Sequence, residues 1–192
     1  MFENSLPPPE RSPFRYVLVE NVLPVVVAEA VLSWFENSAP WQLIIADFYE
    51  QYEFSLLHAD LPDTCFTLCS KESLSLLGVA VETSFGVSLG KSVDVTAHKL
   101  LPGQRIRIHN DFIQGRETHR LLIQFNRSWK IEKGGILLLF NSANPADFHR
   151  GIRPIHNSGM LFEISPNSFH AVSPVMEGER YTVVYSFYAA RE

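Results

Sequence analysis

The chain has 192 residues, the length of one domain, and 46% of them are hydrophobic, including 14 phenylalanines. This composition predicts a packed globular core and excludes a disordered chain. The formal net charge of −5 argues against nucleic acid as a partner, because binding to phosphates requires a basic face.

The sequence also bears on the compartment. No run of eighteen uninterrupted apolar residues occurs, so neither a membrane span nor a membrane partner is expected. Residues 1–13 contain three consecutive prolines and no apolar segment, which is unlike a secretory signal. We therefore expect a cytoplasmic protein, in which Cys65 and Cys69 are buried thiols rather than a disulfide.

The N-terminal half predicts strands at residues 14–19 and 41–57 and helices at residues 24–35 and 70–89. In both helical segments, apolar residues recur at spacings of three and four, which places them on one face. Ser73 is a candidate N-cap of the second helix. The apolar positions are Val31, Trp34 and Phe35 in the first helix and Leu74, Leu77, Val81 and Phe85 in the second.

From residue 91 onward the pattern changes to short strands separated by turn residues. Residues 141–155, with two prolines and a glycine, are expected to form a long polar loop. The predicted strands are 93–100, 105–111, 120–125, 135–140, 160–164, 168–172 and 180–188.

Two helices followed by about eight short strands indicate an α+β fold. We expect a double-stranded β-helix, or jelly-roll, core with the helices flanking one of its sheets. The expected organisation is a single domain over residues 1–192, with a loose proline-rich arm at 1–13 and the catalytic jelly-roll core at 93–188.

The stretch Arg105 to Asp111 carries the first chemical motif. Ile106 and Ile108 alternate with arginines, the period-two pattern of a half-buried strand. At its end stand His109 and Asp111, whose side chains point the same way if the extended conformation persists. An imidazole beside a carboxylate suits a divalent transition metal, although His109 alone could equally be a hydrogen-bonded surface residue.

Two protein ligands leave such a metal undercoordinated, and His170 is the best candidate for the third. Two histidines and one carboxylate on one face of an iron, with the other positions open, form the site of non-haem Fe(II) oxygenases. The other histidines are expected to be ordinary polar residues; they are His58, His98, His119 and His149.

Further features follow in a characteristic order. Gly134-Gly135 precedes the apolar run 136–140, and Arg180 comes ten residues after His170. Together with the His-x-Asp motif, this order resembles the prolyl-4-hydroxylase-like branch of the 2-oxoglutarate and Fe(II)-dependent oxygenases, over about half of the chain. The supporting positions are Arg120, Asn126 and Trp129.

The resemblance implies Fe(II) bound by His109, Asp111 and His170, with 2-oxoglutarate and O₂ as cosubstrates. It also implies that Arg180 binds the distal carboxylate of 2-oxoglutarate, because a guanidinium is always charged and can bind both oxygens. Thr182, two residues further on, could add a hydrogen bond. The alternative is that Arg180 pairs on the surface with one of two acids, Glu177 or Glu179.

One position departs from the family. Relatives often have a tyrosine immediately before the Pro-Gly turn, where this chain has Leu101. Arg120 or Gln124 could complete the cosubstrate pocket instead. Arg120 has a second interpretation, in which it packs beside the site and pairs with an acidic residue.

The resemblance implies an enzyme that hydroxylates an unactivated C–H bond, with an amino-acid side chain in a peptide or protein as the substrate. Candidate substrate-binding residues are His156, Arg107 and Arg116, for which solvated positions are the alternative. A free amino acid or another small metabolite is the second substrate class. The alternative outside catalysis is a sensor that binds metal or 2-oxoglutarate without turnover.

Overall fold

The computed structural model describes residues 6–190, which contain two α-helices and two antiparallel β-sheets. The helices are α1 (Val25–Asn37) and α2 (Lys71–Phe85). Short 3₁₀ helices cover Asp63–Leu68, Ile131–Lys133 and Pro145–Asp147. The strands are β1 (Tyr16–Val19), β2 (Gln42–Ile45), β3 (Glu50–Ser55), β4 (Leu89–Leu100), β5 (Ile106–His109), β6 (His119–Gln124), β7 (Leu137–Phe140), β8 (Phe148–Ile152), β9 (Gly159–Glu163), β10 (His170–Val172) and β11 (Arg180–Ala189).

The larger sheet has the order β1-β9-β6-β11-β4-β3-β2, and the smaller sheet has the order β5-β10-β7-β8. Side chains from both sheets meet in one buried cluster, which includes Leu122 and Val184 from the larger sheet and Leu139 and Val172 from the smaller. The two sheets therefore face each other across this cluster. The predicted α+β fold with a jelly-roll core is confirmed.

Both helices pack on the outer face of the larger sheet. Val31 and Phe35 of α1 and Leu77 and Val81 of α2 are buried in one cluster with residues of the sheet, and Leu74 packs against it. Because alternate residues of a strand point to opposite faces, β11 serves both layers. Its residues Tyr181, Val183, Tyr185 and Phe187 join the cluster under the helices, whereas Arg180, Thr182, Val184 and Ser186 line a cavity between the sheets.

The ends of α2 are fixed by local hydrogen bonding. Ser70, not Ser73 as predicted, is the N-cap, and its Oγ accepts a hydrogen bond from the Ser73 backbone N–H. Gly86 ends the helix with φ of +68°, a left-handed conformation that glycine adopts without a steric penalty. The predicted boundary was wrong because two serines three residues apart both fit the N-cap pattern.

The expected long loop at 141–155 is also corrected. Residues Phe148–Ile152 form β8, an edge strand that pairs with β7 in the smaller sheet. Phe148 and His149 are exposed, so this strand lacks the alternation of buried apolar residues on which the prediction relied.

The described part of the proline-rich arm is attached to the body of the protein. Leu6 packs against the helix-side core, and the backbone of Glu10 bonds to that of Tyr16. The Glu10 carboxylate also accepts hydrogen bonds from the Tyr16 hydroxyl and from Arg150. The arm from residue 6 onward is therefore not loose.

The region Asp63–Phe85 is long and apolar enough to cross a membrane by length and composition alone. It is divided, however, into a 3₁₀ helix and α2, with the N-cap Ser70 between them. Leu77, Val81 and Phe85 bury their side chains against the sheet. Within this structure the buried side chains of the region therefore form part of the protein core.

This packing makes Leu77 a test of the fold. Leu77 is fully buried, so Leu77→Ala should lower the free energy of unfolding by about 2–5 kcal/mol through lost contacts and an unfilled cavity. The neighbouring Leu76 is 51% exposed, and Leu76→Ala should change the free energy of unfolding by no more than about 0.5 kcal/mol. Urea denaturation of the two variants measures the difference, and equal values would contradict the described placement of α2.

Candidate active site

His109 and His170 lie on neighbouring strands of the smaller sheet. β5 and β10 are antiparallel, and the two histidines are paired in register with ring centroids 4.2 Å apart. The next pair in the ladder is Ile106 with Val172. Between the two pairs, β5 has two residues and β10 has one. This β-bulge turns His109 toward the cavity that Ile106 also lines.

Asp111 completes the cluster just beyond the end of β5. Its backbone is not extended, since φ is +58°, a left-handed conformation that aspartate tolerates better than most residues. The expectation that an extended strand aligns His109 with Asp111 was therefore wrong, although the two side chains do meet. Asp111 Oδ1 lies 3.4 Å from His109 Nε2, and Asp111 Oδ2 lies 3.2 Å from His170 Nε2.

The hydrogen bonds of the two histidines determine which ring nitrogen faces the cluster. His109 Nδ1 lies 2.8 Å from the carbonyl oxygen of Arg107, and His170 Nδ1 lies 2.8 Å from that of Ser168. Because a carbonyl oxygen only accepts, each Nδ1 carries a proton and donates it. In a neutral ring, Nε2 then presents its lone pair to the cluster.

This arrangement fits a metal ion. The Nε2 lone pairs face carboxylate oxygens that also carry lone pairs, and a cation held among them converts this repulsion into attraction. One ligand atom from each of His109, Asp111 and His170 lies within 4.8 Å of the other two. Two imidazoles and one carboxylate suit iron, and the carbonyl oxygens that accept hydrogen bonds from the Nδ1 atoms fix the orientation of the two rings.

The protonation states also suit metal binding, which needs an ionised carboxylate and neutral imidazoles. Burial by itself raises the pKa of Asp111, but hydrogen bonds from His109 and His170 when their rings are protonated, together with the charge of Arg120, outweigh burial and hold the pKa well below its usual range. Burial and the neighbouring His109 lower the pKa of His170. At neutral pH Asp111 is therefore ionised and His170 is neutral.

Arg120 holds Asp111 in place. Its Nη1 donates to Asp111 Oδ2 at 2.5 Å, and its Nη2 donates to Glu117. Arg120 lines the cavity, but the structure shows the second of the two predicted interpretations, in which its guanidinium pairs with acidic residues. Its contact is with a metal ligand, so its role is to position that ligand.

At the other end of the cavity, Arg180 is a buried cation that has no counter-ion among the described residues. It is 3% exposed, and its Nε donates to the Gly135 carbonyl oxygen and its Nη1 to Thr182 Oγ1, at 2.8 and 2.7 Å. Between residues 6 and 190, no carboxylate lies within 4.0 Å of it. Burial lowers the pKa of Arg180 to about 10, so it remains charged at neutral pH.

The surface alternative for Arg180 is not what the structure shows. Glu177 lies 3.7 Å from Lys133, and Glu179 accepts a hydrogen bond from the Tyr181 hydroxyl. A buried, unpaired charge is costly, and an anionic ligand would remove this cost. Arg180 is therefore available to a carboxylate of a ligand.

The glycine pair explains how the backbone approaches Arg180 so closely. A Cβ on Gly135 would lie 2.8 Å from Arg180 Cδ, and a Cβ on Gly134 would lie 2.0 Å from the Pro174 carbonyl oxygen. Both glycines also have positive φ angles, of +68° for Gly134 and +62° for Gly135. Larger residues here would displace the backbone that accepts the Arg180 hydrogen bond.

Thr182 lines the polar end of the cavity, and Gln124 supports it from the neighbouring strand. Thr182 Oγ1 accepts from Arg180 and donates to Gln124 Oε1 at 2.9 Å. The two residues are paired in register across β11 and β6. Gln124, one of the two predicted substitutes for the missing tyrosine, does not itself line the cavity and contacts the lining residue Thr182. Leu100, not Leu101, lines the cavity.

The cavity has a volume of about 270 Å³ and joins the metal end to the Arg180 end. Its middle is apolar, and the apolar lining residues are Leu100, Ile106, Leu122, Leu137, Val172 and Val184. An elongated ligand with an anionic end matches this shape and polarity.

The sequence did not identify seven polar or aromatic residues of the cavity wall. Burial lowers the pKa of His98 to about 3, so its imidazole is neutral there. The alternating polar residues of β3 gave the pattern of a solvated face, and the His98 pattern was that of an ordinary strand residue. The missed lining residues are Phe48, Tyr49, Gln51, Glu53, Thr96, His98 and Ser186.

The three predicted substrate residues lie outside the cavity. His156 Nε2 lies 3.3 Å from Glu29 of α1, so the expectation that it lines a substrate mouth is corrected. Arg107 and Arg116 are exposed and line separate surface grooves. On β5 every second side chain points outward, which takes Arg107 away from the face that carries Ile106.

Comparison with known families identifies the chemistry that this arrangement serves. The sequence pattern of the 2OG-Fe(II) oxygenase superfamily matches residues 95–188, which include all three metal-ligand candidates and Arg180. Residues 95–188, about half of the chain, match this superfamily. Its members are named for Fe(II) and 2-oxoglutarate, which agree with the donor set at one end of the cavity and the unpaired guanidinium at the other.

Curated relatives match part of the chain. The prolyl 3-hydroxylase OGFOD1 of Mus musculus is 29% identical over 97 residues, which are 49% of this chain and 18% of that protein. The same enzyme of Xenopus laevis is 30% identical over 93 residues, which are 47% of this chain and 18% of that protein. This oxygenase chain therefore matches less than a fifth of the length of these relatives.

Solved structures show the same fold over nearly the whole chain. A prolyl-4-hydroxylase of Pseudomonas putida has a TM-score of 0.76 at 15% identity and covers 91% of this chain and 92% of its own. A prolyl hydroxylase of Trichoplax adhaerens, in complex with a hypoxia-inducible-factor peptide, has a TM-score of 0.69 at 14% identity. The match covers 91% of this chain and 83% of that chain. The predicted prolyl-4-hydroxylase-like branch is thus confirmed at the level of the fold.

The same fold also carries other chemistry. The α-ketoglutarate-dependent epimerase SnoN of nogalamycin biosynthesis has a TM-score of 0.64 at 10% identity and covers 91% of this chain and 78% of its own. The architecture therefore does not decide the reaction outcome, which depends on the residues around the metal.

The metal site yields a direct prediction. Single substitution of His109, Asp111 or His170 by alanine should weaken Mn(II) binding by more than the roughly 10–100-fold that is lost when a hydrogen-bond partner of a metal ligand is removed. Arg120→Met, which frees the second oxygen of Asp111, should fall within that range. Anaerobic calorimetric titration measures the affinities, with the exposed His149→Ala as the control. Wild-type affinity in His170→Ala would exclude it as a ligand.

Proposed function

We propose that the protein is an Fe(II)- and 2-oxoglutarate-dependent dioxygenase that hydroxylates an unactivated C–H bond on an amino-acid side chain of a peptide or protein. The observation that carries this proposal is the pairing, in one cavity, of a His-Asp-His cluster with the buried and unpaired Arg180. A metal site alone would not need the guanidinium, and an anion site alone would not need the converging Nε2 atoms.

The residues of the chain have separate tasks in this reaction. His109, Asp111 and His170 hold Fe(II) and leave its other positions open. When bound, Fe(II) and 2-oxoglutarate together activate O₂ and supply the oxidising power, with succinate and CO₂ as the products of 2-oxoglutarate. Arg180 and Thr182 hold the distal carboxylate, and the apolar middle of the cavity excludes water from the reacting end.

The peptide or protein substrate is supported by the shape of the metal end and by the relatives. Phe48 stacks on the His109 ring at 4.7 Å, and with Tyr49 it forms an aromatic wall beside the metal cluster. The curated relatives are named prolyl 3-hydroxylases, and one structural relative is in complex with a peptide. A prolyl or similar apolar side chain would fit against such a wall.

Turnover is the experiment that tests the activity. With Fe(II), ascorbate, 2-oxoglutarate and O₂, the protein should release succinate slowly without substrate, and faster with a peptide that gains one oxygen in mass. Asp111→Ala should abolish both, since it removes a metal ligand. Binding of 2-oxoglutarate without any succinate above the Asp111→Ala background would support a sensor and overturn the enzyme.

Arg180 provides the quantitative test of cosubstrate binding. Truncating one partner of a desolvated charge pair costs about 2–5 kcal/mol. At about 1.4 kcal/mol per decade, Arg180→Ala should weaken 2-oxoglutarate binding roughly thirtyfold or more. Arg180→Lys should be intermediate, because lysine keeps the charge and loses the planar fork.

The controls separate a binding effect from an effect on folding. Mn(II) affinity without 2-oxoglutarate should be unchanged in both Arg180 variants. Arg127→Ala, which removes an exposed guanidinium paired with Glu29 and Glu36, should bind 2-oxoglutarate as the wild type does. An unchanged 2-oxoglutarate affinity in Arg180→Ala would remove the cosubstrate from this cavity.

A further inference from the structure

The β3 wall of the cavity carries two polar side chains that neither the metal nor 2-oxoglutarate requires. Gln51, which is 2% exposed, and Glu53 alternate on β3, and both line the cavity of the metal cluster. Gln51 Nε2 donates to Glu53 Oε2 at 2.7 Å and lies 3.3 Å from His98 Nδ1. Gln51 Oε1 is buried without a partner.

These contacts fix the direction of the Gln51 amide. A carboxylate only accepts hydrogen bonds, so the nitrogen of the amide, not its oxygen, must face Glu53. The amide therefore orients one oxygen of the Glu53 carboxylate. The other oxygen, Oε1, accepts no hydrogen bond from any residue in the described range.

Glu53 also lacks a cation. The nearest basic group is His98, whose Nε2 lies 3.9 Å from Glu53 Oε2. Burial, with a further contribution from the charges of Arg120 and Arg180, lowers the pKa of His98 to about 3, so it is neutral. No lysine or arginine of residues 6–190 comes within 4.0 Å of Glu53. Among the described residues its negative charge therefore has no cationic partner.

The cosubstrate cannot supply what Glu53 lacks. As a dianion, 2-oxoglutarate has no N–H or O–H to donate, and its distal carboxylate is balanced by Arg180. The two charges of Fe(II) balance the other carboxylate of 2-oxoglutarate and Asp111, and Arg120 balances Glu117. One negative charge is left in the loaded cavity, and it lies at Glu53.

We propose that Glu53, oriented by Gln51, binds a positively charged hydrogen-bond donor of the substrate, an ammonium or a guanidinium group. This inference rests on the proposed function and narrows its substrate class to peptides with a lysine or arginine at, or next to, the hydroxylated residue. A prolyl ring within a peptide has no N–H, so a prolyl substrate would need this basic neighbour. Charge-assisted hydrogen bonds to a carboxylate are stronger than neutral ones.

A pair of matched probes tests the proposal. N-acetyl-lysine amide and N-acetyl-norleucine amide share an aliphatic side chain and differ in the terminal ammonium. Their affinities are measured by ligand-observed NMR titration of the full chain with Zn(II) and 2-oxoglutarate bound, so that no turnover occurs. The wild type should bind the lysine probe at least about tenfold more tightly, a difference of about 1.4 kcal/mol.

Two variants assign this preference to the site. Glu53→Gln keeps the shape and removes the charge, so it should abolish the preference while leaving 2-oxoglutarate affinity unchanged. Glu50→Gln alters a carboxylate of the same strand that lies outside the cavity, where it accepts a hydrogen bond from Gln104, and it should keep the preference.

The outcomes separate this inference from the proposed function. Equal affinity of the two probes, or no measurable binding of either, in protein that binds 2-oxoglutarate overturns the role of Glu53 alone. A lysine preference that persists in Glu53→Gln also overturns it. Failure of the wild type to bind 2-oxoglutarate in the same samples contradicts the proposed function instead.

Discussion

The site depends on a buried guanidinium that has no acidic partner in the part of the chain that the structure describes. Arg180 lies at the first position of β11, and the surrounding chain is arranged to hold it without neutralising it. The Gly135 carbonyl oxygen and Thr182 take two of its donor groups, and Asn126 fixes the start of β11 by bonding to both the N–H and the carbonyl of Tyr181. What these contacts leave unsatisfied is the charge, which only an anion can balance.

The two ends of the site belong to different sheets. His109 and His170 are paired on the smaller sheet, whereas Arg180 is on the larger one. The separation between metal and carboxylate positions is therefore set by the apolar side chains that pack between the sheets, among them Leu122, Leu137 and Val184. His109, His170 and Arg180 all lie on packed strands, which hold side chains with little freedom.

The sequence predicted the parts of this structure that depend on local pattern. Helical spacing located α1 and α2, and period-two alternation located most strands of the core. The three ligand candidates and Arg180 were found because their residue types are uncommon in strands and their order resembles a known family.

Features that depend on pairing between distant segments were not predictable. The bulge that turns His109, the left-handed backbone at Asp111, and the edge strand β8 are examples. The position of His156 was not predictable for the same reason, because its partner Glu29 lies on a helix more than a hundred residues away in sequence. Glu53 was missed because polar and apolar residues alternate around it, as they do in a strand with one solvated face.

A crystal structure with Mn(II) and 2-oxoglutarate tests the account most directly, because it locates both ends of the cavity at once. We expect the metal to be bound by Nε2 of His109, by Nε2 of His170 and by one carboxylate oxygen of Asp111. The second oxygen of Asp111 should still accept a hydrogen bond from Arg120. We also expect the distal carboxylate of 2-oxoglutarate on Arg180 and Thr182. A metal bound through other residues, or 2-oxoglutarate held away from Arg180, would contradict this account.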